Sequence, residues 1–202
     1  MKQRIRTYVA AAGLMLSAMN AGAANYNAIL TGPQEAPPNT SPGIGASTIS
    51  FDPGSHLLEI NVTFSGLIGE TNAAHIHCCT PAPHTGVAGV LTELPTLSGF
   101  PLGVRNGAYS QAYDTSLASS WNPAFLSAWG GSTAFAEAAF ESGLRGGTAY
   151  FNIHTSYAPA GEVRGFYAPA AAIPEPESMA MLGIGLPVLL MLARRRSKNS
   201  VK

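Results

Sequence analysis

The sequence predicts an all-β protein, an antiparallel β-sandwich or barrel of Greek-key-like connectivity with a short helical insertion. Three observations carry this. Residues 56–64 alternate, with Leu58, Ile60, Val62 and Phe64 on one face and Glu59, Asn61 and Thr63 on the other, the period-two pattern of a half-buried strand. Asp52-Pro53-Gly54-Ser55 precedes that run and joins a fixed φ to a permissive one, so it turns the chain back from Ala46–Phe51 as a hairpin. Finally, 22 Gly and 15 Pro among 202 residues punctuate the intervals between short apolar runs.

Taken in order, strands are expected at Tyr26–Leu30, Ala46–Phe51, His56–Phe64, Ala73–Cys78, Val87–Leu91 and Gly107–Tyr113. Between Asp114 and Gly146 the pattern changes. Asn122-Pro123 reads as an N-cap and first-turn pair before a short helix ending near Gly130-Gly131, and Ser132–Leu144 as a second helix. Strands at Gly147–His154 and Glu162–Tyr167 complete seven or eight, enough for one sandwich or barrel.

Charge narrows the function. The 11 basic and 11 acidic residues cancel overall, but eight of the basic ones lie near the termini. From Ala24 to Ile173 three arginines face nine carboxylates, a net charge of −6. Such a middle segment lacks the clustered cations that phosphate backbones require, so nucleic acid is not an expected partner.

Both ends read as address labels. Lys2, Arg4 and Arg6 precede an apolar run and then Ala21-Gly22-Ala23, so residues 1–23 are expected to be a signal peptide cleaved after Ala23. Residues 169–202 form a linker and a tail: Pro174, Glu175 and Pro176, an apolar stretch over 179–193, then Arg194, Arg195 and Arg196. The stretch is 15 residues long, shorter than the roughly 20 of a comfortable span, which suits transient anchorage in the inner membrane with the arginines on the cytoplasmic side. This order of parts resembles the PEP-CTERM sorting signal. The resemblance implies an exosortase-type processing protease as partner. It also implies export to the cell envelope, outer surface or extracellular matrix, among exopolysaccharide or envelope components.

The residues with most chemistry are histidines. In a strand His75 and His77 point to one side while Ala74 and Ile76 point to the other. On the strand at 147–154, Phe151 and Ile153 face the core and leave Tyr150, Asn152 and His154 opposite. His75, His77 and His154 are therefore candidate metal ligands, and imidazole donors favour copper or zinc over calcium or magnesium. His84, in the Pro81–Gly86 loop, and Cys79 are further candidate ligands, whereas His56 reads as a solvated turn residue. Cys78 and Cys79 are adjacent and leave three readings open: a vicinal disulfide, thiolate ligands beside the histidines, or pairing between chains. Glu162 and Arg164 share one side of a strand, where an ion pair or hydrogen bonds to loops are expected. The sequence contains no Gly-x-Ser-x-Gly, no phosphate-binding glycine loop and no His-Glu-x-x-His, so it assigns no catalytic residue.

Three ordered segments carry a wider resemblance: Leu30–Asn39 (LTGPQEAPPN), Ala73–His77 (AAHIH), and Gly146–Thr155 (GGTAYFNIHT) followed by Gly161–Tyr167 (GEVRGFY). Together they resemble the CHRD (chordin-like) domain over residues 25–167, within an expected domain of 24–168. The resemblance implies an exported β-rich binding or structural module without a known catalytic activity. The alternative is a copper/zinc-binding redox protein, since His75, His77 and His154 are also similar to the histidines that bind copper in copper/zinc superoxide dismutase.

Overall fold

A computed structural model describes residues 23–170. The expected signal peptide and the sorting tail, with Pro174, Glu175, Pro176, Arg194, Arg195 and Arg196, lie outside the described residues but for the ends next to the domain. Among the described residues no helix is long and apolar enough to cross a membrane.

The strands are β1 (Ala24–Thr31), β2 (Ile44–Asp52), β3 (Leu57–Ser65), β4 (Thr71–His77), β5 (Gly107–Asp114), β6 (Tyr150–Thr155), β7 (Val163–Phe166) and the two-residue β8 (Ala168–Pro169). They form one sheet in the order β4-β6-β7-β1-β2-β3-β5, with β8 off this path beside β1. The ladders along the path are antiparallel. The all-β antiparallel expectation holds: the sheet curls on itself as a half-barrel. Its edges, β4 and β5, are bridged by the segment that leads into β5: Thr71 donates its N–H to Val104 O at 2.9 Å, and Gly103 donates to Thr71 O at 2.8 Å.

Alternation fixes the register. Leu58, Ile60, Val62 and Phe64 of β3 are buried, as are Ile49 and Phe51 of β2 and Tyr26, Ala28 and Leu30 of β1. A one-residue slip would turn every one of these side chains to water, so burial of one face pins the pairing. Ala74, Ile76, Phe151, Ile153 and Val163 join the same core from the other wing.

Two helices stand between β5 and β6, as the sequence indicates. Asn122 caps α1 (Pro123–Ala128) by accepting from Ala124 N at 2.9 Å, and Ser132 caps α2 (Thr133–Arg145) by accepting from Phe135 N at 3.4 Å. Phe140 of α2 packs 5.2 Å from the Phe51 ring, centroid to centroid. Gly143 supplies a close approach: any Cβ there would collide with the Cys78 sulfur and lie 2.7 Å from that of Cys79.

Two expected boundaries shift for hydrogen-bonding reasons. Val87–Leu91 is no strand; Val90 makes a single bridge to His77. Leu91 and Thr92 both direct their N–H groups at Ile76 O, and the Thr92 hydroxyl accepts from Ile76 N at 3.2 Å, so side chain and backbone together cover the free edge of β4. Likewise β6 starts at Tyr150 because the preceding residues finish α2. Thr148 N reaches back to Gly143 O at 2.9 Å, and Gly147 takes a positive φ of 64°.

Candidate metal centre

Strand geometry brings three imidazoles together. β4 and β6 pair so that Ala73 faces His154, His75 faces Asn152 and His77 faces Tyr150. Ala74, Ile76, Phe151 and Ile153 have no exposed surface, which directs His75, His77 and His154 to the opposite face. That face is not open to solvent, because the loop joining β4 to β5 covers it; His75 and His77 are 6% and 8% exposed. Ring centroids lie 5.3 Å apart for His75 and His154, 5.9 Å for His75 and His77, and 6.0 Å for His77 and His154.

Each ring commits one nitrogen to a backbone carbonyl. His75 Nε2 donates to Pro95 O at 2.8 Å, His77 Nδ1 to Ala88 O at 2.9 Å, and His154 Nδ1 to Pro159 O at 3.0 Å. A carbonyl only accepts, so in the neutral ring the proton sits on the bonded nitrogen and the lone pair on the other. Those other atoms, His75 Nδ1, His77 Nε2 and His154 Nε2, are buried and have no hydrogen-bond partner among the described residues. One nitrogen of each ring comes within 4.8 Å of the others. Bonds of about 2.0–2.1 Å to a tetrahedral ion place nitrogens roughly 3.3 Å apart, so closure on an ion draws the rings inward by an ångström or so.

Burial keeps these rings neutral. It holds His75 and His154 below the usual imidazole range and pushes His77 down to about 4, against the opposing effect of the carbonyl bonds. His77 also stacks on Tyr150, with centroids 4.8 Å apart and planes within 5°. The Tyr150 hydroxyl accepts from Ala88 N at 3.2 Å, so ring and loop are held by the same residue. The guanidinium of Arg164 covers the Tyr150 ring at 4.9 Å.

The other expected ligands lie elsewhere. His84 is not part of the cluster: its backbone N–H bonds to Gly147 O at 2.8 Å, and its ring stands edge-on to Phe166 at 5.9 Å. Cys79 is bonded to Cys78, and both sulfurs rest against α2 at Gly143. Of the three readings for this pair, the vicinal disulfide is the one found, and no described cysteine is free to ligate. His56 is not simply solvated, because its Nδ1 lies 2.9 Å from the Glu137 carboxylate of α2.

Of the two readings for Glu162 and Arg164, hydrogen bonds to loops are the one found. Glu162 accepts from Ser41 Oγ, Ile68 N and Thr155 Oγ1 at 2.6 Å and from Gly69 N at 3.1 Å, tying four segments together. Burial works against its charge, but these bonds outweigh it and hold the carboxyl below the usual range. Arg164 donates to Gln34 O and Gly86 O and lies 3.8 Å from Glu35. Burial dominates over that nearby cation and raises Glu35 to about 7. The contact is too long for a hydrogen bond and Nε is already committed to Gln34 O, so the arginine offsets only part of the effect of burial.

Sequence reasoning missed the carbonyls of Ala88, Pro95 and Pro159 and the supporting ring of Tyr150. Carbonyls have no residue signature, and their positions follow from the loop path alone.

A curled antiparallel sheet with a covered histidine cluster defines a β-rich module with a built polar site on one wing. The family is then plain: residues 26–167 match the CHRD domain, and the chain belongs to that family. No curated protein and no solved structure matches it.

Proposed function

We propose that this chain is an exported CHRD module that holds one transition-metal ion on His75, His77 and His154. One observation carries the reading: one nitrogen of each buried imidazole lies within 4.8 Å of the others, and each ring has one nitrogen tied to a carbonyl and one with no partner among the described residues. An unsatisfied buried polar atom is unfavourable by about 1–3 kcal/mol, and three in one place call for a shared partner. A carbonyl or carboxylate behind a ligating histidine fixes its tautomer and raises its basicity, and the bonds to Pro95, Ala88 and Pro159 support the reading in that way. Neutral nitrogen donors favour copper or zinc. The CHRD family fits a binding or structural module, and the metal is what this module binds.

Residues 24–168 are the working domain in this reading, residues 1–23 direct export, and residues 169–202 sort it through an exosortase-type protease to the envelope or its exopolysaccharide matrix. The supports are the basic-apolar-small order of the first segment and the Pro174-to-Arg196 order of the last. Titration of the purified protein with zinc or copper tests the metal reading; one ion per chain, lost with the three histidines, is expected. Replacement of Arg194, Arg195 and Arg196 tests the sorting reading; the variant should be mislocalised, and normal delivery would overturn it.

A further inference from the structure

Resting on that reading, we propose that the ion keeps an open coordination position that takes a small monoanion. The donor set decides this. Among the described residues His75, His77 and His154 are the whole of the cluster, and all three offer neutral nitrogen donors. A tetrahedral ion needs a fourth ligand, and sites that stop at three protein ligands complete the shell from solution. The other side chains that the sequence offered are committed elsewhere: Cys79 to its disulfide, His84 to the Gly147 side of the domain.

Charge then selects the class of fourth ligand. The three rings offset none of a divalent ion's charge, and among the described residues no carboxylate joins them in the cluster. A buried, uncompensated charge is strongly unfavourable, and a neutral water leaves it in full. An anion removes one unit of it. His154 is the one of the three residues that is not fully buried, which places the approach on its side. Hydroxide is the anion that water itself provides, because an ion held by three nitrogens acidifies its bound water toward neutrality. Azide is a convenient probe of the same position and competes with that hydroxide.

The experiment uses the purified full chain loaded with Cu(II), its metal content measured before and after sodium azide is added, with sodium perchlorate as the ionic-strength control. A saturable azide-to-copper charge-transfer band at one azide per copper is expected. Its affinity should fall about tenfold per pH unit above the pH where bound water ionises, and the band should be missing from the His75→Ala/His77→Ala variant. Loaded protein whose spectrum ignores azide, or gives up its copper to it, overturns the open position and leaves the metal site standing. Failure to load copper or zinc overturns the metal site and this inference with it.

Discussion

The imidazole of His77 lies flat on the phenol of Tyr150, 4.8 Å between centroids and 5° between planes, while the Tyr150 hydroxyl holds Ala88, whose carbonyl holds His77 in turn. Ring, phenol and loop thus form a closed circuit around one ligand. Tyr150→Leu opens it, and metal affinity should drop about 10-fold, within the range typical of outer-sphere partners. Tyr150→Phe keeps the stacked ring and should lose less. Calorimetric titration of both variants, with circular dichroism to confirm the fold, measures the difference.

Metal should stabilise the fold, since the three orphaned nitrogens gain a partner only in the loaded state. Free ion at about 1,000 times its dissociation constant stabilises by about 4 kcal/mol. For a domain of this size that raises the melting temperature by roughly 8–16 °C. Scanning calorimetry with zinc and then with a chelator should show the rise and its reversal. In the His154→Ala variant the shift should vanish.

Glu35 gives the fold a pH dependence. Its folded-state value of about 7 lies above the ordinary 4.5, so the folded chain binds the extra proton and stability falls as pH rises through that window. The loss amounts to about 3 kcal/mol by pH 8, each tenfold gain in proton affinity on folding contributing about 1.4 kcal/mol. Glu35→Gln removes the titration. Urea unfolding at pH 5 and pH 8 should show a decline in the natural chain and little in the variant.

Gly143→Ala should destabilise by about 1–3 kcal/mol, the usual penalty for overpacking, because the new methyl meets both disulfide sulfurs. Thermal melts under oxidising conditions check this. A melting temperature equal to that of the natural chain would show that α2 moves aside freely.

Much of this architecture is legible in the sequence. The alternation of Leu58, Ile60, Val62 and Phe64 places β3 and its core face, and Asn122-Pro123 places the start of α1, because each follows from local chemistry that nothing overrides. His75, His77 and His154 are found for the same reason: the apolar neighbours Ala74, Ile76, Phe151 and Ile153 leave them one direction to point. What the sequence hides is long-range. Glu137 reaches His56 across 81 positions, and Glu162 reaches Ser41 across 121. The curl of the sheet and the loop cover over the histidines depend on backbone bonds such as Thr71 N to Val104 O, which no residue type announces. Val87–Leu91 has strand composition but spends its polar groups on one edge, so composition alone misplaces it.

A single metal ion held by three neutral imidazoles is open to direct test by metal analysis after zinc loading and exhaustive dialysis. One zinc per natural chain is expected, and none in a folded His75→Ala/His77→Ala/His154→Ala variant. Zinc-free natural chain, or equal zinc in both, would contradict it.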